Sequence, residues 1–178
     1  MNSTFVRNIC TFLIIGFAVF SNAVFGQSVE AKLKEQGIEL AKPTPSLANY
    51  VKAVRTGNLI FLSGHVSNRA DGTGIKGKVG KDLTVEQGYE AAKLSAIGLL
   101  SSLKAEIGDL NKVKRVVKVL GMVNSTPDFT DHPKVVNGCS DLLVKVFGDK
   151  GKHARSAVGV AALPSDYAVE VEMIVEVE

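Results

Sequence analysis

Arg155 lies at the start of the run Ala154 to Leu163, and a few residues later Glu170, Glu172 and Glu176 alternate with Val169, Val171, Met173, Val175 and Val177. Such alternation puts the apolar side chains on one face of a strand and the carboxylates mostly on the other. A fixed positive charge at the start of one strand and proton-exchanging groups along the next make this the chain's best candidate polar site. Other motifs carry less. Gly72-Thr-Gly74-Ile-Lys-Gly77-Lys78-Val79 contains G-x-G-x-x-G and comes within one residue of a Walker A loop, but Val79 stands where a hydroxyl must bind magnesium. A phosphate loop must also follow a buried strand and run straight into a helix. Here Asn68 to Asp71 precedes it and Lys81-Asp82-Leu83 intervenes, so it reads as a flexible hairpin loop. His65, His132 and His153 lack the spacing of a metal-binding helix or finger, and no metal site is expected. Ser63-Gly64 has no readable histidine–acid partnership, which argues against a serine hydrolase.

The elements that must position these residues follow from periodicity. Tyr50 to Val54 and Leu59 to Leu62 are short apolar runs around Arg55-Thr-Gly57-Asn58, which is turn chemistry and predicts a hairpin. Thr84 to Ile107 is the clearest helix: Thr84 and Gln87 fit a capping box, Val85, Tyr89, Ala92, Ala96, Leu99, Leu103 and Ile107 share one face, and Gly108 supplies the stop. Lys112 to Val123 is valine-rich and predicts a strand, and a second helix is expected from about Pro133 to Phe147, ending at Gly148. Arg155 to Leu163 and Ala168 to Val177, joined by Leu163-Pro-Ser-Asp-Tyr167, are expected to pair as a closing hairpin. Two helices for about six strands imply an α+β, two-layer arrangement: a mixed sheet with both helices on one face. Val, Ala and Gly occupy both parities of Ala157 to Ala162, so the other sheet face is expected to be buried too, with another subunit as its cover.

Residues 1–26 carry Arg7 as their one charged residue, a run from Ile9 to Phe20 that is apolar except for Thr11, and small residues at Ala23 and Gly26. This reads as a secretory signal peptide cleaved near Ala23 or Gly26, with export to the periplasm or the exterior. The run is short against the roughly 20 residues of a membrane span; an uncleaved N-terminal anchor is the alternative, and after cleavage no stable anchor is expected. Residues 27–45 are read as a leader containing a short helix, and residues 46–178 as one domain. Loss of the signal removes Cys10, leaving Cys139 without a disulfide partner. The formal net charge of +3 drops by one with Arg7, too little to imply nucleic acid. Aromatic residues are 6% of the chain and tryptophan is absent, so a stacking platform for single-stranded bases would have to be improvised. Asn124-Ser-Thr126 fits a glycosylation acceptor.

From about Tyr50 to Glu176 the chain resembles the RidA family, also called YjgF-type or "endoribonuclease L-PSP". The resemblance rests on Tyr50-Val-Lys-Ala-Val, on Gly57-Asn58-Leu-Ile-Phe-Leu-Ser63-Gly64, on Val135-Val-Asn137, and above all on Ala154-Arg155-Ser-Ala-Val-Gly-Val-Ala-Ala-Leu-Pro164 followed by Val169-Glu170-Val-Glu172. It implies a chorismate-mutase-like fold, a homotrimer with inward-facing sheets, and ligand clefts between subunits. It also implies hydrolysis of reactive 2-imino acids or enamines to 2-oxo acids and ammonia, without metal or organic cofactor. Arg155 then matches the residue that grips the substrate carboxylate, a task suited to a planar guanidinium. Glu170 matches the acid that orients or activates the attacking water. Gly64 matches a backbone contact to the ligand, Tyr50 the tyrosine lining the cleft, and Asn137 an asparagine at its margin. Two departures stand out: Ala157 replaces a common cysteine, and His65 a common glutamine.

In a simple hairpin Arg155 faces about residue 175, and Glu170 lies about 17 Å further along at about 3.4 Å per residue. Such a pair cannot share one small substrate, so either a bulge breaks the register or a second subunit delivers one member. The expected partner is thus a small carboxylate-bearing imine or 2-oxo acid held between copies of the chain. The alternatives are a non-catalytic binding protein for small carboxylates using the same cleft and, less favoured by charge and composition, a ribonuclease.

Overall fold

The computed structural model describes residues 27–44, 48–69 and 71–178; the signal-peptide reading of residues 1–26 lies outside the described residues. In chain order the elements are α1 (Val29–Glu35), β1 (Ala53–Thr56), β2 (Leu59–Val66), α2 (Val85–Ile107), β3 (Val113–Asn124), α3 (His132–Phe147), β4 (Ala154–Val160) and β5 (Val169–Val177), with short 3-10 turns between some of them. The five strands form one mixed sheet in the order β1-β2-β5-β3-β4. The architecture is the expected α+β one, with five strands, the two long helices on one face, and the N-terminal α1 contributing Val29 and Leu33 to the same core.

The long helix forms where its caps predict. Thr84 and Gln87 satisfy each other's backbone N–H groups in a complete capping box, and Gly108, at φ +79°, ends the helix. Gly57 and Asn58 make the two-residue turn between β1 and β2, with Thr56 opposite Leu59. Gly57 has φ +59° and Asn58 does not share it, the signature of a type II′ turn that puts glycine first.

The expected closing hairpin is not formed. β4 pairs parallel with β3, and β5 pairs antiparallel with both β3 and β2. The reason lies in the crossovers. α2 carries the chain from β2 to a strand running the same way, β3, and leaves a one-strand gap between them that β5 fills. α3 brings the chain back parallel to β3, so β4 takes β3's free edge. Residues 161–168 then cross the end of β3, a span of two strand spacings or about 10 Å, through a turn in which Ser165 and Asp166 adopt φ of +52° and +61°.

That crossing is tied down at Asn124, the last residue of β3. Asn124 is fully buried; its Oδ1 accepts from Lys78 Nζ at 2.8 Å and its Nδ2 donates to Asp166 Oδ1 at 2.9 Å. A glycan on this nitrogen is incompatible with the folded network. The glycine-rich loop is likewise pinned, contrary to its flexible reading: Lys76 bridges to Tyr167, Val79 bridges to Ser125, and Val79 is buried.

One face of the sheet is covered. Ile60, Leu62, Val116, Val119, Val171, Met173 and Val175 are buried beneath the helices. The other face exposes Val54 (53%), Phe61 (42%) and Val158 (42%), with Leu120, Met122 and Ile174 half-buried among Lys118, Glu170 and Glu172. α2 and α3 pack tightly at Gly138, where a Cβ would overlap the Tyr89 carbonyl oxygen. Gly138→Ala is therefore expected to lower stability in urea unfolding by about 3 kcal/mol, the upper end for overpacking, because the obstacle is backbone.

Candidate functional site

Residues at i and i+3 share a helix face, and residues at i and i+2 share a strand face. On α3 this pairs Asn137 with Ser140; on the extended chain entering β4 it pairs His153 with Arg155. The parallel packing of β4 beside α3 brings the four together. Arg155 Nη1 donates to Asn137 Oδ1 at 2.8 Å and to Ser140 Oγ at 3.0 Å, and His153 Nε2 lies 3.0 Å from the same hydroxyl. Ser140 and His153 were not among the sequence candidates; the packing of β4 beside α3 brings them to Arg155.

Arg155 is half-buried, and among the described residues no carboxylate lies within ion-pair distance of it. Its contacts are to neutral oxygens. Both hydrogens of Nη1 are committed to Asn137 and Ser140, while Nε–H and the two hydrogens of Nη2 meet no described acceptor. The Nε–Nη2 edge is the fork that takes a carboxylate or phosphate in two parallel bonds. A surface salt bridge therefore does not account for this arginine, and what it offers is an anion-binding edge.

Glu170 and Gly64 make a second cluster, on the uncovered face. Ser63 and Gly64 bulge out of β2, between the pairs Leu62 with Met173 and His65 with Val171. The bulge keeps Leu62 and His65 both on the helix side and turns Gly64 toward Glu170. A Cβ on Gly64 would overlap the Glu170 carboxylate. Glu170 lies in a cross-strand row with Val66, Met122 and Val158. Burial in this apolar row, and secondarily the charge of Glu172, push its carboxyl above the usual glutamate value.

The two clusters do not meet within one chain. Arg155 lies opposite Val119 and, across β3, level with Met173, on the helix face; Glu170 is three residues along and two strands away, on the other face. The in-plane offset is about 14 Å from standard strand spacings. The expected separation thus holds, but through an intervening strand and opposite faces rather than through hairpin register. Tyr50 precedes β1 and is far from Arg155, but its chain runs beside the bulge: Ser63 donates its N–H to the Lys52 carbonyl at 3.0 Å and its hydroxyl to the Val51 carbonyl at 2.6 Å, while Tyr50 itself is 52% exposed and lines a cleft with Lys52, Ser102 and Glu106.

The remaining titratable candidates are structural. His65 is buried, its Nδ1 donates to the Ser63 carbonyl at 2.7 Å, and its Nε2 accepts from Ser102 Oγ at 2.7 Å. Burial pushes the Cys139 thiol up to about 12, so it remains protonated and inert. Among the described residues no three His, Cys, Asp or Glu side chains converge as metal ligands would.

The raised carboxyl of Glu170 has a stability consequence. Its folded-state value lies above its unfolded one, so the native state binds more protons in that interval and loses stability as pH rises through it. At neutral pH the ionised Glu170 is a burden on the fold. Glu170→Gln is expected to raise the thermal midpoint at pH 7, with the gain vanishing below pH about 4, the unfolded glutamate value; scanning calorimetry at both pH values checks it.

A family model described as "YjgF/chorismate_mutase-like, putative endoribonuclease" matches residues 30–177. Protein TCP17 of Trypanosoma cruzi is 44% identical to the chain over 149 residues, covering 83% of this chain and 93% of that protein. A 2-iminobutanoate/2-iminopropanoate deaminase of Dermatophagoides farinae is 28% identical over 137 residues, covering 76% and 91%. Among solved structures, protein Atu1372 of Agrobacterium tumefaciens superposes with a TM-score of 0.80 at 40% identity, covering 84% of this chain and 92% of that one. Sheet order, helix placement and these likenesses agree, and the chain belongs to the YjgF/RidA family.

Proposed function

We propose that the protein hydrolyses 2-imino acids or their enamine tautomers to 2-oxo acids and ammonia, in a cleft between copies of the chain. The observation that carries this is the half-buried Arg155, which among the described residues has no counter-ion and is held by neutral oxygens with its Nε–Nη2 edge unused. A small carboxylate fills that edge. The deaminase likeness names substrates of this class.

In this reading the water oxygen bonds to C2 of the imine while Glu170 takes a water proton and the nitrogen gains one. The carbinolamine then collapses: its hydroxyl proton passes by way of Glu170 to the amino nitrogen, the C–N bond breaks, and a 2-oxo acid and ammonia leave. A carboxyl raised by its surroundings suits such a proton carrier. Since Arg155 and Glu170 occupy opposite faces of one sheet, the edge of one copy must reach the open face of the next. That is a head-to-tail contact, which closes into a ring such as the homotrimer expected from the resemblance. The exposed Val54, Phe61 and Val158 supply the apolar surface for it.

Imines generated in place by an amino acid oxidase, with 2-oxo acid release followed, provide the assay. Arg155→Ala is expected to lose roughly a hundredfold in kcat/KM, about 3 kcal/mol for hydrogen bonds to a charged group. A rate equal to wild type overturns the reading. Turnover absent from wild type, with carboxylate-induced thermal stabilisation that Arg155→Ala removes, would assign the cleft to binding alone. Gly64→Ala is expected to keep its thermal midpoint near wild type but to lower kcat about tenfold by displacing the Glu170 carboxylate, at 1.36 kcal/mol per decade.

A further inference from the structure

Behind Arg155 the hydrogen bonds continue. His153 Nδ1 lies 2.6 Å from the Gly151 carbonyl oxygen, which can only accept, so Nδ1 carries the proton of the neutral ring. Nε2 is then bare and accepts from the Ser140 hydroxyl, whose oxygen in turn accepts from Arg155 Nη1. The chain of bonds runs from a backbone carbonyl at the end of the 3-10 turn Gly148–Gly151 to the guanidinium, with every direction fixed. Asn137 holds the second hydrogen of the same nitrogen.

We propose that Ser140 and His153 are positioning residues that aim the Nε–Nη2 edge of Arg155, and that a carboxylate bound there draws a proton onto His153. The proposal rests on the carboxylate-binding reading of Arg155 given above. The charges around the ring can be named element by element. Asp149 and Lys152 of the turn region pair with each other at 2.7 Å, and Lys150 Nζ donates to the Val113 carbonyl. On α3, Asp141 accepts from Tyr89 of α2, and Cys139 is a neutral thiol. On β3, Lys118 bonds Ser156 on the opposite face.

Arg155 is thus the charge that acts on the ring: burial holds the imidazole below its ordinary value, the bond to the Gly151 carbonyl opposes it, and Arg155 adds a smaller lowering. An anion on Arg155 cancels that repulsion, so the imidazole value rises on binding and protons are taken up. The aim survives protonation: the Ser140 oxygen has two lone pairs, one for each donor, while its own hydrogen swings to a carbonyl of the preceding helical turn.

Calorimetric titration with 2-oxobutanoate tests this. Wild type at about pH 6 should show a binding enthalpy that changes with the ionisation enthalpy of the buffer, in the sense of proton uptake, and His153→Gln should abolish that dependence. Ser140→Ala and His153→Phe should weaken binding about three- to tenfold, the worth of one hydrogen bond, with thermal midpoints near wild type. Ser140→Thr, which keeps the hydroxyl, and His153→Gln, which keeps an acceptor, should restore affinity. Should Arg155→Ala bind as wild type does, the carboxylate grip itself fails. Loss of binding in Arg155→Ala together with wild-type affinity in Ser140→Ala and His153→Phe, or unchanged proton uptake in His153→Gln, overturns this proposal alone.

Discussion

Everything in this molecule depends on β5 being paired on both edges. β2 and β3 run the same way and are joined by α2, so the gap between them accepts a single antiparallel strand, and β5 occupies it. Its Val169, Val171, Met173, Val175 and Val177 are all buried under the helices, which ties the helical layer to the sheet's midline. The opposite parity of the same strand is consequently committed to the uncovered face, and Glu170 goes with it. The catalytic candidate's position is thus a by-product of core formation: its neighbours at 169 and 171 must be inside.

The same geometry explains why the arginine sits elsewhere. α3 returns the chain parallel to β3, and β4 becomes an edge strand whose helix-facing parity meets the polar side of α3. Arg155 satisfies two of its five donors on Asn137 and Ser140 and keeps a fork in reserve. An arginine so placed is held firmly without being neutralised, because neutral oxygens fix its direction but leave its charge in force. Electrostatic demand at one sheet edge and proton-accepting capacity on the open face are then properties of different surfaces, which only association of chains can bring together.

Much of this was legible in the sequence. The capping box at Thr84 and Gln87, the stops at Gly108 and Gly148, and the alternation after Ala168 are local signals, and each specifies its element by itself. The pairing of β4 was not legible, because nothing within Arg155 to Leu163 records which edge will be free when the strand arrives; that depends on the gap left by α2. A short linker containing Pro164 looked like a turn and is a bridge over a strand. The family resemblance pointed to Arg155, Asn137, Gly64, Glu170 and Tyr50; the structure joins Arg155 to Asn137 and Gly64 to Glu170, and sets the chain at Tyr50 beside the Gly64 bulge. Ser140 and His153 emerged with the packing of α3 on β4, a contact that no single periodicity encodes.

The strand order also governs how the molecule must be made. Of the five strands, the one synthesised last sits in the middle, so β2, α2 and β3 leave the ribosome with no stable sheet to join, their apolar sides awaiting a partner more than forty residues downstream of β3 (from Asn124 to Val169). The native topology is therefore rich in long-range pairings, which favours slow folding and a window in which chaperones or self-association compete for the exposed surface.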